Sequence, residues 1–256
     1  MFDFTKHVPG WLIACGAAVW VGALEASPAP AVDAAVADLA GRIDYGFYAA
    51  EPRLISAARE ALDRLPDSAP GKTYYQAYAA YRLGRLESRR DQRMLRSLVA
   101  DCVEHASLSA KDARWAVEAW ILAGACSLMG AREDRLKTIM HELRFDEAIA
   151  QAARLDAAHP RLLLLRAWAE SAPVDGASPA PGVKPYFERA VEGFEDRGGA
   201  PYAPDWGRAE ALAGLAELHL EVGGLRDARD LIERALLEAP DYRFALELEK
   251  ELSLRR

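Results

Sequence analysis

The sequence predicts an all-α protein: a right-handed array of antiparallel helical hairpins behind an N-terminal signal segment. Three observations predict it. The chain is rich in Ala, Leu, Arg and Glu, which lose little side-chain freedom in a helix, and no run alternates apolar and polar residues as a half-buried strand does. Near the C-terminus Leu212, Leu215, Ala216 and His219 share one helical face, Gly223-Gly224 breaks it, Ala228, Ile232 and Ala235 share the next, and Pro240 stops that one. The spacing of Ala228, Ile232, Ala235 and Pro240 recurs as Ala148, Ala152, Leu155 and Pro160, and as Leu54, Ala58, Ala61 and Pro66. Small residues at such offsets let two helices cross closely. A lone hairpin cannot bury its apolar face, so neighbours must stack.

The elements follow in order. A first helix of small residues runs over 31–50, with Leu39, Ile43 and Phe47 at four-residue spacing. A second runs over 51–65 to Pro66, and 66–71 is a turn by its Pro, Asp, Ser and Gly content. Helix 72–87 carries four tyrosines; helix 91–106 has Met94, Leu95, Leu98, Val99 and Cys102 as its apolar face. Ser107-Leu108-Ser109 is expected as a hairpin turn, with Ser109 capping a long helix over 110–129. Helices 132–143 and 145–158 are expected next, then 161–171, which is apolar nearly all round and therefore deeply buried. The stretch 172–182 holds three prolines and two glycines and cannot be helical. Helix 185–196, a loop at 198–204, the clear hairpin and a closing helix over 241–252 complete the chain. In the closing helix Phe244, Leu248 and Leu252 turn inward.

The hairpin from Ala209 to Tyr242 resembles a tetratricopeptide repeat. Over residues 145–245 the arrangement is similar to exported bacterial proteins of that superfamily, with His159-Pro160-Arg161, Ala180-Pro181-Gly182 and Trp206-Gly207 in the corresponding places. The resemblance implies an α-solenoid fold and a scaffold that binds other molecules. Departures are His219 and Leu212, where such repeats usually carry Tyr and Trp; both positions are packed ones. Three regions are expected: 1–31 as signal peptide or anchor with a Pro/Ala linker, 32–144 as an N-terminal helical-hairpin region, and 145–256 as the repeat-like region with its capping helix.

Trp11 to Leu24 is an apolar stretch of 14 residues. A bilayer-spanning helix needs about 20 apolar residues, so this one has the length of a signal-peptide core, with cuts expected after Ala23 or Ala31. Leu12-Ile13-Ala14-Cys15 also matches a lipobox, although the residues after Cys15 stay apolar. A cleaved signal, an uncleaved anchor and lipidation at Cys15 all put the body outside the cytoplasm, in the periplasm or facing it; a cytosolic location is the fourth alternative. The net charge of −7 argues against a nucleic-acid partner. With 107–109 as the hairpin turn, Cys102 and Cys126 fall too far apart to bond, and are expected as two small buried apolar residues.

No catalytic constellation is visible. None of His7, His105, His141, His159 and His219 forms a metal-binding pair, Gly198-Gly199 lacks the strand and Lys of a phosphate loop, and the acidic residues are spread at solvent-face spacing. His159 reads as a helix-end residue and His219 as a core histidine. No metal, cofactor or catalytic residue is expected, and hence no enzyme.

Two patterns suit binding. Tyr74, Tyr78 and Tyr81 share a helical face with Tyr75 beside them; the alternatives are hairpin core or a groove for a ligand or peptide. Trp206 joins them as a candidate. Arg82, Arg85, Arg89, Arg93 and Arg96 make one stripe if their helix is unbroken, and an anionic-partner patch is weighed against a solvated face. The expected function is a non-catalytic protein–protein or peptide interaction scaffold of the bacterial cell envelope, with an unidentified partner and membrane attachment through the N-terminal segment. The rival is a small-molecule-binding helical-repeat component associated with a transport system. An enclosed pocket of several hundred Å³ favours the rival; an open groove favours a protein partner.

Overall fold

The computed structural model describes residues 28–87, 91–133, 138–171, 182–195 and 203–255. The segment Trp11–Leu24, Cys15, Arg89, most of the 172–182 loop and Gly198-Gly199 lie outside them. The described residues form helices and turns without a strand. The helices are α1 Pro28–Tyr48, α2 Pro52–Arg64, α3 Lys72–Glu87, α4 Gln92–Ser109, α5 Ala116–Glu133, α6 Thr138–Asp156, α7 Pro160–Glu170, α8 Val183–Glu195, α9 Arg208–Glu221, α10 Leu225–Glu238 and α11 Arg243–Leu254. None is long and apolar enough to cross a membrane.

Consecutive helices pack in antiparallel pairs, α1 with α2 through α9 with α10, and α11 caps the last pair. The odd-numbered helices also touch one another, α1 on α3, α3 on α5, α5 on α7 and α9 on α11, so they form an inner layer with the even-numbered helices outside. The fold is a helical solenoid of stacked antiparallel hairpins, as the sequence predicts. The two layers explain the composition. Inner helices α3, α5, α7 and α9 are apolar on several faces. Outer helices α2 and α10 bury one stripe each, Ile55, Ala58 and Leu62 in α2, and Ala228, Leu231, Ile232 and Ala235 in α10. The small residues expected at crossings, Ala58, Ala148, Ala152, Ala216, Ala228 and Ala235, are buried, whereas Leu54 and Leu155 are exposed. The recurring spacing therefore marks the close crossings but not every face.

Three boundaries differ from expectation, and one has a chemical consequence. The expected break near residue 144 is absent: Thr138–Asp156 is one helix, and Arg132 belongs to the end of α5. Helix α4 continues through Ser107-Leu108-Ser109, and α5 starts at Ala116, so Ser109 caps nothing. A Ser hydroxyl in a last turn is satisfied locally; Ser107 donates to the Val103 carbonyl at 2.7 Å. The hairpin loop is thus 110–115, which moves the α5 register toward the α4 cysteine. Cys102 and Cys126 lie on facing turns with Cα atoms 6.0 Å apart and form a disulfide, correcting the expectation of two unpaired residues. Gly71 in the α2–α3 turn shows why that turn needs glycine: its φ is +73°, and a Cβ there would lie 2.4 Å from Trp115 Cζ2.

Candidate functional site

The solenoid closes on itself, and a charged pair makes the closure. Arg82 points inward from α3, 0% exposed, and donates from Nη2 to Glu210 Oε1 of α9 at 2.5 Å and from Nε to the Tyr78 hydroxyl at 2.7 Å. Its guanidinium lies 3.9 Å from the centre of the Phe47 ring. Glu210 is placed by Trp206-Gly207. Gly207 has φ +112° and a Cβ there would meet Phe194 Cζ at 2.6 Å; its N–H donates to Glu210 Oε2 at 2.9 Å, the back half of a capping box at the start of α9. Tyr48 of α1 donates to the same oxygen at 2.7 Å. Burial works against the charge on both partners. It is outweighed in each case, so Arg82 is held above its ordinary range chiefly by Glu210, and Glu210 below its own by Arg82 and the Tyr48 hydroxyl. Asp44 is the second acid of the cluster, bonded to the Tyr78 hydroxyl and 3.9 Å from Arg82. Burial raises its pKa to about 6, against the lowering effect of Arg82 and the Tyr78 hydroxyl.

A second polar set joins α5, α7 and the loop before α9. Arg161 donates to Glu118 Oε1 and to the Trp206 carbonyl, both at 2.7 Å, and to the Pro204 carbonyl. His159 caps α7, its Nδ1 accepting from the Arg161 N–H at 3.3 Å, which leaves Nε2 to donate to Glu118 at 3.2 Å. The expected helix-end role of His159 is therefore at the start of α7. His219 is half-buried beside Asp227, at 3.5 Å.

Tyr74, Tyr78, Tyr81 and Trp206 are all core residues, at most 2% exposed. Trp206 donates from Nε1 to the Tyr74 hydroxyl at 2.9 Å and stacks on Tyr78 with centroids 5.7 Å apart. The inner face of the solenoid is filled by its own aromatic rings. The arginine stripe does not form as one surface: α3 ends at Glu87 and α4 begins at Gln92, leaving Arg82 in the core and Arg93 and Arg96 exposed on the outer layer.

What remains open is a cleft of about 680 Å³ between α3, α5 and α7 on one side and α9 and α11 on the other. Phe47, Tyr48, Trp168, Phe187, Tyr242 and Phe244 supply its apolar wall; Arg85, Arg132, Arg243, Glu217 and Glu247 supply charge. Gly214 makes room for Phe187, whose Cε1 would lie 2.5 Å from a Cβ there. The ends of the array meet at its edge, with Tyr48 of α1 edge-on to Tyr242 at 4.9 Å. Arg85 donates from Nη1 to the Tyr81 hydroxyl at 2.9 Å and lies 5.2 Å from the Trp168 ring, while remaining open to solvent. Arg132 donates to the Trp168 carbonyl at 2.5 Å. Glu217 sits at the far side, its carboxyl raised by burial and by Glu221 and Glu251. Of the cleft, sequence reasoning had Arg85 but neither Trp168 nor Arg132. The Arg82–Glu210 pair also went unread, although each is a lone charge in an apolar run, 77–84 and 209–216.

Among the described residues no group of three His, Cys, Asp or Glu is placed to hold a metal ion. No family model matches the chain, and no curated protein matches it. Among solved structures it is similar to a thermophilic TPR protein of Thermus thermophilus, at 18% identity and a TM-score of 0.49, over 86% of this chain and 97% of that one. No site residue is carried over from that likeness. The class of protein that the fold defines is an all-α array of stacked helical hairpins with a cleft on its inner side.

Proposed function

We propose that this protein is a non-catalytic interaction scaffold of the bacterial cell envelope, exported and either periplasmic or anchored facing the periplasm. The observation that carries the scaffold reading is the cleft itself. Side chains from α1, α3, α5, α7, α8, α9 and α11 converge there on one concave surface. Compartment is supported by two independent features. The apolar 11–24 segment has the length of a signal-peptide core, and a buried Cys102–Cys126 disulfide suits an oxidising space rather than the cytoplasm. The partner on this reading is a protein or peptide, without nucleic acid. Cross-linking and pull-down of the full chain from envelope extract test it, with Trp168→Ala and Phe244→Ala as controls. Loss of one specific partner with both substitutions supports the reading; identical capture by both variants contradicts it.

One observation favours the small-molecule alternative. The inner face, where an extended peptide would lie, is closed by Tyr74, Tyr78, Arg82 and Trp206, and the space left is ligand-sized. On this second reading the protein binds a small ligand for a transport system.

A further inference from the structure

We propose that the cleft binds an organic acid, a single ionised carboxylate carried on an apolar or aromatic body. This rests on the small-molecule reading of the same cleft. The head group is assigned by Arg85. Arg82, three residues earlier, is neutralised by Glu210 in the core. Among the described residues Arg85 has no such partner: its hydrogen bond goes to the Tyr81 hydroxyl, and no carboxylate lies within ion-pair distance of it. Its charge is permanent, and its planar fork of donors matches a carboxylate with two parallel bonds.

A solvated surface arginine is ordinarily free to turn, and holding it costs side-chain entropy. Arg85 is held already. The Tyr81 hydroxyl fixes one nitrogen and the Trp168 ring faces the guanidinium, with Phe47 at 5.9 Å. A ligand therefore binds a donor set whose ordering is complete.

The rest of the ligand is assigned by what surrounds the head. Arg85, Arg132 and Trp168 also border a smaller hollow of about 130 Å³ toward α5, so they mark one end of the cleft. Phe47, Phe187 and Phe244 line the span from there toward α9 and α11, where an apolar body is desolvated. Glu217 and Glu247 stand on those two helices. A second anionic group reaching that end meets two carboxylates against one cation, Arg243 of α11, a net negative charge that disfavours a dicarboxylate relative to a monoanion.

The test is isothermal calorimetry on the full chain with 6-phenylhexanoate, its neutral amide 6-phenylhexanamide, and the dicarboxylate nonanedioate. The acid is expected to bind at least about tenfold more tightly than the amide and the dicarboxylate, which corresponds to one good charge-assisted bond pair. Arg85→Gln is expected to erase the acid's advantage over the amide. Arg85→Lys keeps charge and bulk, and covers the case in which glutamine lowers the melting point. It should weaken the acid at least threefold and the amide by less. Equal binding of acid and amide to the wild type, or a preference that survives both substitutions, overturns the assignment of the head group while leaving a ligand cleft. Absence of binding by all three compounds at millimolar concentration overturns both the assignment and the small-molecule reading.

Discussion

Arg82 and Glu210, 128 residues apart in the chain, are joined by a 2.5 Å hydrogen bond with neither side chain open to water. The bond ties the third helix to the ninth across the inner layer. A buried pair of this kind adds little compared with apolar packing, but losing one partner strands the other charge. Arg82→Met should cost about 3–5 kcal/mol in urea unfolding, and Glu210→Met a comparable amount. The double substitution should cost clearly less than the sum, since no charge is left alone. Additive losses would mean that the pair is not coupled.

Asp44 makes stability depend on pH in an unusual direction. Its folded pKa of about 6 lies above the ordinary 3.8, with burial as the main cause. Between about pH 4 and 6 the folded chain therefore holds more protons than the unfolded one, and stability falls as pH rises through that window. Below it the effect is absent, and above it the penalty is complete, at most about 3 kcal/mol by 1.36 kcal/mol per unit. Asp44→Asn should match the wild type at pH 4 and melt higher at pH 7.5. Parallel melting curves for the two proteins across that range would refute it.

The disulfide closes a loop with a sequence separation of 24. By the chain-entropy estimate it contributes about 3 kcal/mol. Cys102→Ser with Cys126→Ser should lose roughly that much, and dithiothreitol should lower the melting point of the wild type but not of the variant. Titration of free thiols in the unfolded chain is the direct check.

The crossing of α9 with α10 rests on small residues. Ala216 and Ala228 are both 0% exposed, whereas Glu221 is exposed. Ala216→Leu or Ala228→Leu should cost about 1–3 kcal/mol by overpacking, and Glu221→Leu under about 0.5 kcal/mol. Equal shifts for all three would exclude this hairpin register.

The hairpins were legible because helix periodicity and small-residue crossings are local. Pro52, Pro66, Pro160 and Gly223-Gly224 mark boundaries that the structure keeps to within a residue or two. The α4–α5 boundary was not, since Ser107 and Ser109 carry turn chemistry yet sit in a helical last turn; a six-residue shift there hid the Cys102–Cys126 pairing. The cleft was not legible either. Arg85, Trp168, Phe187 and Phe244 belong to four helices, and only the closure through Arg82 and Glu210 brings them to one surface. Periodicity showed that Tyr74, Tyr78 and Tyr81 share a face, and left open whether that face meets water or Trp206.

Burial of those tyrosines leads to the last prediction. Tyr78 is fully buried, its hydroxyl bonded to both Asp44 and Arg82 and its ring stacked on Trp206. Tyr78→Phe keeps the ring and removes the hydroxyl, leaving one donor of Arg82 and one oxygen of Asp44 without their partner. That should cost about 1–3 kcal/mol. Tyr81→Phe removes only the bond to Arg85, which is open to solvent, and should cost about 0.5–1.5 kcal/mol. The triple change of Tyr74, Tyr78 and Tyr81 to Ala removes three rings from one cluster, each at about 3–5 kcal/mol by analogy with Phe→Ala. The sum matches or exceeds the whole stability of an ordinary domain, about 5–15 kcal/mol. Circular dichroism should find the triple variant unfolded and both Tyr→Phe variants folded. A folded triple variant would mean that the rings face an open groove, and would return the binding face to α3.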